Sequence, residues 1–374
     1  MAGIYIHIPF CKKACHYCNF HFSTTRHNAG EMVNCLLAEM TIQQTYLAGQ
    51  SIETIYFGGG TPSILPAVDI QRLLTEARRL FNVIPVPEIT LEANPDDLTM
   101  EKLAEFSAAG INRLSIGVQS FSEEDLRWMN RAHNADQAVA CIMNAQQSGI
   151  RNISIDLIYG GPTLTDEAWK ENVERAIALG IPHLSCYALT VEPGTALDHF
   201  IEKKKIPPID ADKAARHFAI LMDMVQAAGY EHYEISNFAL PGYHSRHNSS
   251  YWKGTPYLGL GPSAHSFNGK SRQWNVANNA LYMQSIRQAQ VPFEVELLTP
   301  EMMLNELIMI SLRTAAGCDL RVVNERFGEE KSRQLLAAGE QYVQQGWMIH
   351  EGSHLKLTRE GKFFADGIAA DLFV

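Results

Sequence analysis

IYIHIPFCKKACHYC, residues 4–18, is a short apolar run, Ile4 to Ile8, that empties into a loop carrying Cys11, Cys15 and Cys18. Three thiolates at this spacing can converge on one metal cluster. A four-iron cluster held by three cysteines keeps one iron without a protein ligand. That iron is free to chelate a small molecule through an amino and a carboxylate group. Structural zinc demands four closed ligands, so His16 or His21 would have to complete a zinc set. The chain has seven cysteines, an odd number, and nothing around them suggests secretion, which makes a disulfide framework a poorer account. Cys35, Cys141, Cys186 and Cys318 fall within helix or strand patterns and read as core thiols.

Outward from this loop the same theme repeats. Apolar runs rich in branched residues stand at 4–8, 54–57, 88–93, 113–118, 153–159 and 183–189, as buried parallel strands should. Helical patterns lie between them, near 29–48, 66–81, 99–109, 134–148 and 165–179, several ending at a glycine: Gly110, Gly149, Gly180. Six such units predict an α/β fold, an incomplete parallel (βα)6 barrel over residues 1–236. A further helix near 211–228 leads to YEHYEISNFA, a candidate seventh strand. Residues 237–299 mix Pro, Gly, His, Asn and aromatics, and predict an irregular extension laid over the barrel. Residues 300–374 predict three amphipathic helices and a hairpin turning at Gly352–Ser353, a small winged-helix-like domain. Its third helix sets Glu329, Glu330 and Glu340 against only Lys331 and Arg333, which suits packing or a protein partner better than nucleic acid.

Composition narrows the classes. Of 374 residues, 46% are hydrophobic and 19% charged, enough to bury a large core and too apolar for disorder. A net charge of -10 argues against a broad nucleic-acid footprint. MAGIYIHIPF lacks the zones of a signal peptide, and no apolar run approaches the ~18 residues of a spanning helix. The expectation is a cytoplasmic protein that reaches a membrane only through a partner. The three lysines at 203–205 read as a solvated loop.

The polar residues gather just after the strands: Cys11, then Gly58–Thr61, Glu92, Gln119 and Asp156. Barrel sites occupy that C-terminal rim. Each residue alone is an ordinary turn or cap. Together with Arg131, a fixed cation suited to a bidentate carboxylate, they can line a ligand site. Glycines at 58–60 let backbone N–H groups approach a ligand closely.

These motifs resemble the radical-SAM superfamily, in which CxxxCxxC binds the cluster, an aromatic residue (here Tyr17) precedes the third Cys, and GGTP (Gly59–Pro62) holds the methionine amino group of S-adenosylmethionine (SAM). More specifically, YIHIPFCKKACHYC, YFGGGTPS, LEANPDDL, RLSIGVQSF, MNRAHN, SIDLIYGGP and YALTVEPGT resemble, in order, the motifs of oxygen-independent coproporphyrinogen III oxidases over most of residues 1–270. The resemblance implies a [4Fe-4S] cluster on Cys11, Cys15 and Cys18, and SAM contacts from Tyr5, Tyr17, Gly60, Thr61, Pro62, Glu92, Gln119, Arg131 and Asp156. It implies that an electron donor reduces the cluster, which cleaves SAM to a 5′-deoxyadenosyl radical.

Three departures move the likeness toward the oxidase's relative, the HemW-type haem chaperone group. Phe20 stands where the oxidase has a fourth Cys. Only ten residues precede Cys11, where the oxidase has a long arm. Residues 247–252, HNSSYW, match the HNxxYW motif of the chaperones. In that motif His247 offers an imidazole to haem iron, Tyr251 and Trp252 offer flat aromatic area, and Asn248 can orient the His; His244 and His265 compete for the role. The implied function is delivery of haem to an apo-haemoprotein acceptor, a membrane-bound respiratory enzyme among the options, with a homodimer allowed. The alternatives are a coproporphyrinogen III dehydrogenase and a radical-SAM enzyme on another substrate, so enzymatic activity itself stays open.

Overall fold

In the computed structural model, which describes all residues from Met1 to Val374, six strands run parallel and in chain order: β1 (Ala2–Ile8), β2 (Ile52–Gly59), β3 (Val83–Ala93), β4 (Arg113–Gln119), β5 (Asn152–Tyr159) and β6 (His183–Ala188). Each pairs with the next. Period-2 alternation sorts their side chains. Ile4, Ile6 and Ile8 are fully buried in the main core, while Tyr5 and His7 alternate with them and meet the residues of the barrel interior. Burying one such isoleucine stabilises the fold by about 1.5–3 kcal/mol, and the core of Ile4, Phe57, Leu91, Leu114, Ile155 and Leu184 runs through all six strands.

The predicted crossover helices form at Ala29–Ile42, Ala67–Leu80, Met100–Ala109, Ala135–Gln147 and Asp166–Ala178. Thr99, Asn134 and Thr165 cap three of them with side-chain oxygens, and Asn134 with Gln137 forms a full capping box. Gly110, Gly149 and Gly180 follow the helices at φ of 108°, 90° and 68°, the left-handed conformation that glycine adopts without strain. The first helix stops at Ile42, short of residue 48, and gives way to turns.

Residues 230–297 differ from the sequence expectation. YEHYEISNFA is a hairpin, β7 (Glu231–Glu234) and β8 (Asn237–Ala239), and β8 pairs antiparallel with β6. The stretch expected to be irregular supplies β9 (Tyr257–Leu260), β10 (His265–Phe267), β11 (Ser271–Asn275) and β12 (Phe293–Leu297). β9 pairs parallel with β1, and β10–β12 continue antiparallel, so one twelve-stranded open sheet results. These strands have three to five residues, too short for periodicity to stand out. Buried Glu39 ties them down by accepting from the Gly261 N–H (2.7 Å), Asn275 Nδ2 (2.7 Å) and Tyr282 O–H (2.5 Å).

The C-terminal unit follows the helix, strand, helix, helix, hairpin order of a winged helix. Helices Pro300–Leu312, Leu320–Phe327 and Glu329–Gln344 combine with β13 (Cys318–Asp319), β14 (Met348–Glu351) and β15 (His354–Leu357), and a last helix, Ala365–Asp371, packs against them. It has its own core around Leu304, Ile308, Leu335, Leu355 and Ile368. It docks on the barrel through Arg313, which pairs with Glu234 of β7 (3.1 Å), and Arg359, which pairs with Asp223 (2.5 Å). No helix is long and apolar enough to cross a membrane.

Candidate functional site

The C-terminal ends of the parallel strands surround a cavity of about 760 Å³. Cys11, Cys15, Tyr17, Cys18, Gly60, Thr61, Glu92, Gln119, Arg131 and Asp156 all line it. Tyr5 and Pro62 do not, nor do His247, Tyr251, Trp252, His244 and His265, whereas Asn248 does. Tyr5 stands behind the wall, stacked on Tyr56 (6.0 Å between centroids) and bonded to His7 Nδ1 (3.2 Å). Pro62 opens a buried 3-10 turn, Pro62–Ile64.

The cysteine loop is closed at its base and tied along its length. Cys11 N donates to Ser23 O (3.0 Å) and Ser23 N to Pro9 O (2.9 Å). Asn130 Nδ2 donates to Ala14 O (2.8 Å), and Lys12 pairs with Asp96 (2.6 Å) and Asp97 beyond β3. The thiols are partly exposed. Burial pushes the Cys11 thiol up to about 11, against a hydrogen bond from Thr61 Oγ1 at 3.6 Å, and raises Cys18 as well; a bound cation or cluster would favour the thiolates. No three His, Cys, Asp or Glu side chains approach closely enough to hold a single metal ion. His16 turns away to Trp128 O (2.8 Å) and His21 to Asn279 (2.8 Å), so neither completes a zinc set. Three thiols spread over one loop suit a cluster, which takes one ligand per iron.

Arg131 does not present a free fork. Its Nη1 donates to Cys15 Sγ (3.2 Å) and Tyr17 Oη (3.4 Å), and its Nη2 to Asn94 Oδ1 and Gly117 O (both 2.7 Å). It therefore clamps the cysteine loop to the ends of β3 and β4. Its Nε is buried without a partner, a donor left unpaired by the way the guanidinium is clamped. Glu92 accepts from Tyr56 O–H (2.8 Å) and Gly59 N–H (3.1 Å). Burial lifts it to about 8 and Asp156 to about 6. Both carboxyls line one cavity, where positive charge or hydroxyls from a ligand would offset the cost of their burial. Gln119 is held at φ 67°, a strained conformation for a non-glycine residue, and the next residue, Ser120, donates to Asp125 and accepts from Asn172 Nδ2.

The glycines act differently from the expectation. A Cβ on Gly60 would sit 2.6 Å from Phe10 O and 2.9 Å from Ile8 O, so Gly60 is required by backbone packing against the cysteine loop, and a Val there would disturb the fold before it reached a ligand. A Cβ on Gly117 would instead face side chains that line the cavity, 2.9 Å from Gln119 and 3.1 Å from Arg131, and one on Gly58 would sit 3.1 Å from Glu92.

His247 is buried, 1% exposed, and both ring nitrogens are engaged: Nδ1 with Thr54 Oγ1 (2.7 Å) and Nε2 with Tyr251 Oη (2.9 Å). Its ring stacks on Tyr56 at 4.9 Å, its N–H donates to Glu88 Oε1 (2.9 Å), and burial depresses it to about 3. In this conformation it offers no nitrogen to an iron. Trp252 lies under the Arg313 guanidinium, 5.7 Å from carbon to ring centroid. His244 bonds Glu231 (2.7 Å); His265 is exposed with Trp274 at 6.0 Å.

Several cavity residues escaped the sequence reading. Asn94 and Gly117 sit inside quoted motifs, LEANPDDL and RLSIGVQSF, and spacing alone did not single them out. Arg313 and the Lys362–Gly367 segment, which also line the cavity, carry no motif at all.

Residues 5–176 match the Radical SAM superfamily and residues 298–364 the HemN C-terminal domain. The chain is 32% identical to the heme chaperone HemW of Mycobacterium tuberculosis, covering 99% of this chain and 94% of that one. It is 33% identical to the heme chaperone HemW of Bacillus subtilis, covering 98% of each. The solved coproporphyrinogen III oxidase (HemN) of Escherichia coli, a radical SAM enzyme, superposes with a TM-score of 0.87 at 24% identity, over 100% of this chain and 90% of that one, a likeness of fold.

Proposed function

The chain belongs to the HemW family of radical-SAM proteins, and from that premise we propose that it carries haem to apo-haemoprotein acceptors while holding a [4Fe-4S] cluster and SAM. The observation that supports this most is the meeting of the three-thiol loop with Glu92, Gln119, Arg131 and Asp156 in one cavity. Cys11, Cys15 and Cys18 would hold the cluster, clamped by Arg131. Glu92, with Gln119 and Asp156, would bind the polar ends of SAM. When bound, cluster and SAM supply radical chemistry, and the chain supplies position and shelter from water.

Phe20 belongs to this reading. It puts an apolar ring, 68% exposed, beside the cysteine loop where the oxidases have a thiol. Haem ligation by His247 would require the helix Arg246–Trp252 to part from β2. The acceptor, a respiratory enzyme among the possibilities, the electron donor and a homodimer belong to the same proposal.

Anaerobic reconstitution followed by haem titration and a coproporphyrinogen III assay tests it. The expected result is about four irons per chain, haem binding, and no decarboxylation with SAM and a reductant. Sustained conversion of coproporphyrinogen would instead make the protein an oxidase.

A further inference from the structure

Of the six exposed Phe and Tyr side chains, four line the one cavity: Phe20 (68%), Tyr187 (42%), Phe363 (36%) and Phe364 (49%). They come from three separate parts of the chain. Phe20 follows the cysteine loop, Tyr187 ends β6, and Phe363 and Phe364 belong to the C-terminal unit. Solvent-facing aromatic area gathered in a concavity marks a surface that a ligand covers.

The C-terminal pair is fixed in place before any ligand arrives. Phe364 stacks on Trp347 at 4.4 Å and 20°, and Phe363 packs edge-on against Phe218 of the barrel at 5.2 Å. Gly361 lies so close to the Trp347 carbonyl that no side chain fits there. Arg313 grips Asp366 at 2.7 Å from one side and Glu234 from the other. Preorganised rings lose little entropy when a flat ligand stacks on them.

The two lysines that line the same cavity have no carboxylate of their own. Lys13 is exposed and reaches only Arg131 O at 3.4 Å; Lys362 meets only His232 Nδ1 at 3.0 Å. His232 is kept neutral by burial, which depresses it to about 3.

Flat apolar area in a cavity that also holds two ammonium groups without a carboxylate partner suits a planar aromatic dicarboxylate. Resting on the haem-carrying reading above, we propose that the cavity mouth is the haem site. The porphyrin is recognised by its ring on Phe20, Tyr187 and Phe363–Phe364, and by its carboxylates on Lys13 and Lys362. The imidazole of His247 takes no part in this capture.

The test titrates the reconstituted full-length protein with haem and with metal-free protoporphyrin IX, following absorbance and quenching of protein fluorescence. Protoporphyrin should bind within about threefold of haem. Phe20→Ala and Phe364→Ala should each weaken both ligands about tenfold, with the iron content of the cluster unchanged. Phe20 is mostly exposed, so that variant carries no folding risk; a melting curve controls for Phe364. Binding of haem without binding of protoporphyrin, or unchanged affinities in both Phe variants, would overturn this site while leaving the haem-carrying reading intact. Absence of binding by either porphyrin to the wild-type protein would overturn both.

Discussion

The cysteine loop and the HNSSYW helix attach to the same two strands from opposite ends. The loop leaves the C-terminal end of β1 and packs on Gly60 at the end of β2, and its thiols open on the cavity. The helix Arg246–Trp252 meets Gly3 and Thr54 near the N-terminal ends of β1 and β2, and its histidine is sealed between Thr54, Tyr56 and Tyr251. In a parallel barrel the C-terminal rim carries ligands and the opposite end carries stability. Two motifs equally visible in the sequence thus differ in setting: the thiols open on the cavity, whereas His247 is sealed, although Asn248 of the same helix lines the cavity. A histidine with a polar, aromatic context reads the same on paper whether its nitrogens face a ligand or face Thr and Tyr.

The sharpest way to break this contrast is to remove the loop's sulfurs. Cys11→Ser, Cys15→Ser or Cys18→Ser should each lose nearly all cluster iron, measured as iron and sulfide per chain. Cys35→Ser, Cys141→Ser, Cys186→Ser and Cys318→Ser should keep it. Retention of iron in any loop variant would mean that the cavity is not the cluster site.

His247→Ala should do the reverse, keeping the iron and losing about 3 kcal/mol of stability in denaturant unfolding. The change leaves a void and strips partners from the buried Thr54 and Tyr251 hydroxyls. A variant of wild-type stability that loses haem would instead place His247 at a ligand. Gly60→Ala joins the two regions. Its methyl would press on the Phe10 and Ile8 carbonyls, costing about 2 kcal/mol, so its melting temperature should fall even in cluster-free protein.

The smallest effect is a pH slope. Burial holds His247 near 3 against an ordinary 6.5. The unfolded chain therefore takes up a proton below 6.5 that the folded chain refuses. The stability present at pH 7 falls as pH drops, by about 2 kcal/mol at pH 5 from this group. His7, His133 and His232 are depressed likewise, so the measurement is the difference between wild type and His247→Gln. Equal slopes in the two would show the imidazole to be open to solvent.

The six parallel strands, the thiol loop and the polar cavity residues at the strand ends were legible in the sequence because their determinants are local. Branched apolar runs form buried strands, glycines end helices, and a loop after a strand lies at the rim. Asn94, which accepts from Arg131, was visible only as part of a motif. The sheet extension β9–β12 was not legible, since strands of three to five residues are held by pairing with β1 and by Glu39, far away in the chain.

The parallel strands, the three-thiol loop and the family could all be read from the chain alone, since these follow from local periodicity and from side-chain chemistry at fixed spacing. Only the tertiary structure decided that Arg131 clamps the loop, that Gly60 answers to backbone packing and that His247 is sealed. It alone brought Phe363 and Phe364 to the cavity that Phe20 also lines. Burial and hydrogen-bond pairing depend on groups tens to hundreds of residues away, and no local pattern encodes which partner a side chain will meet.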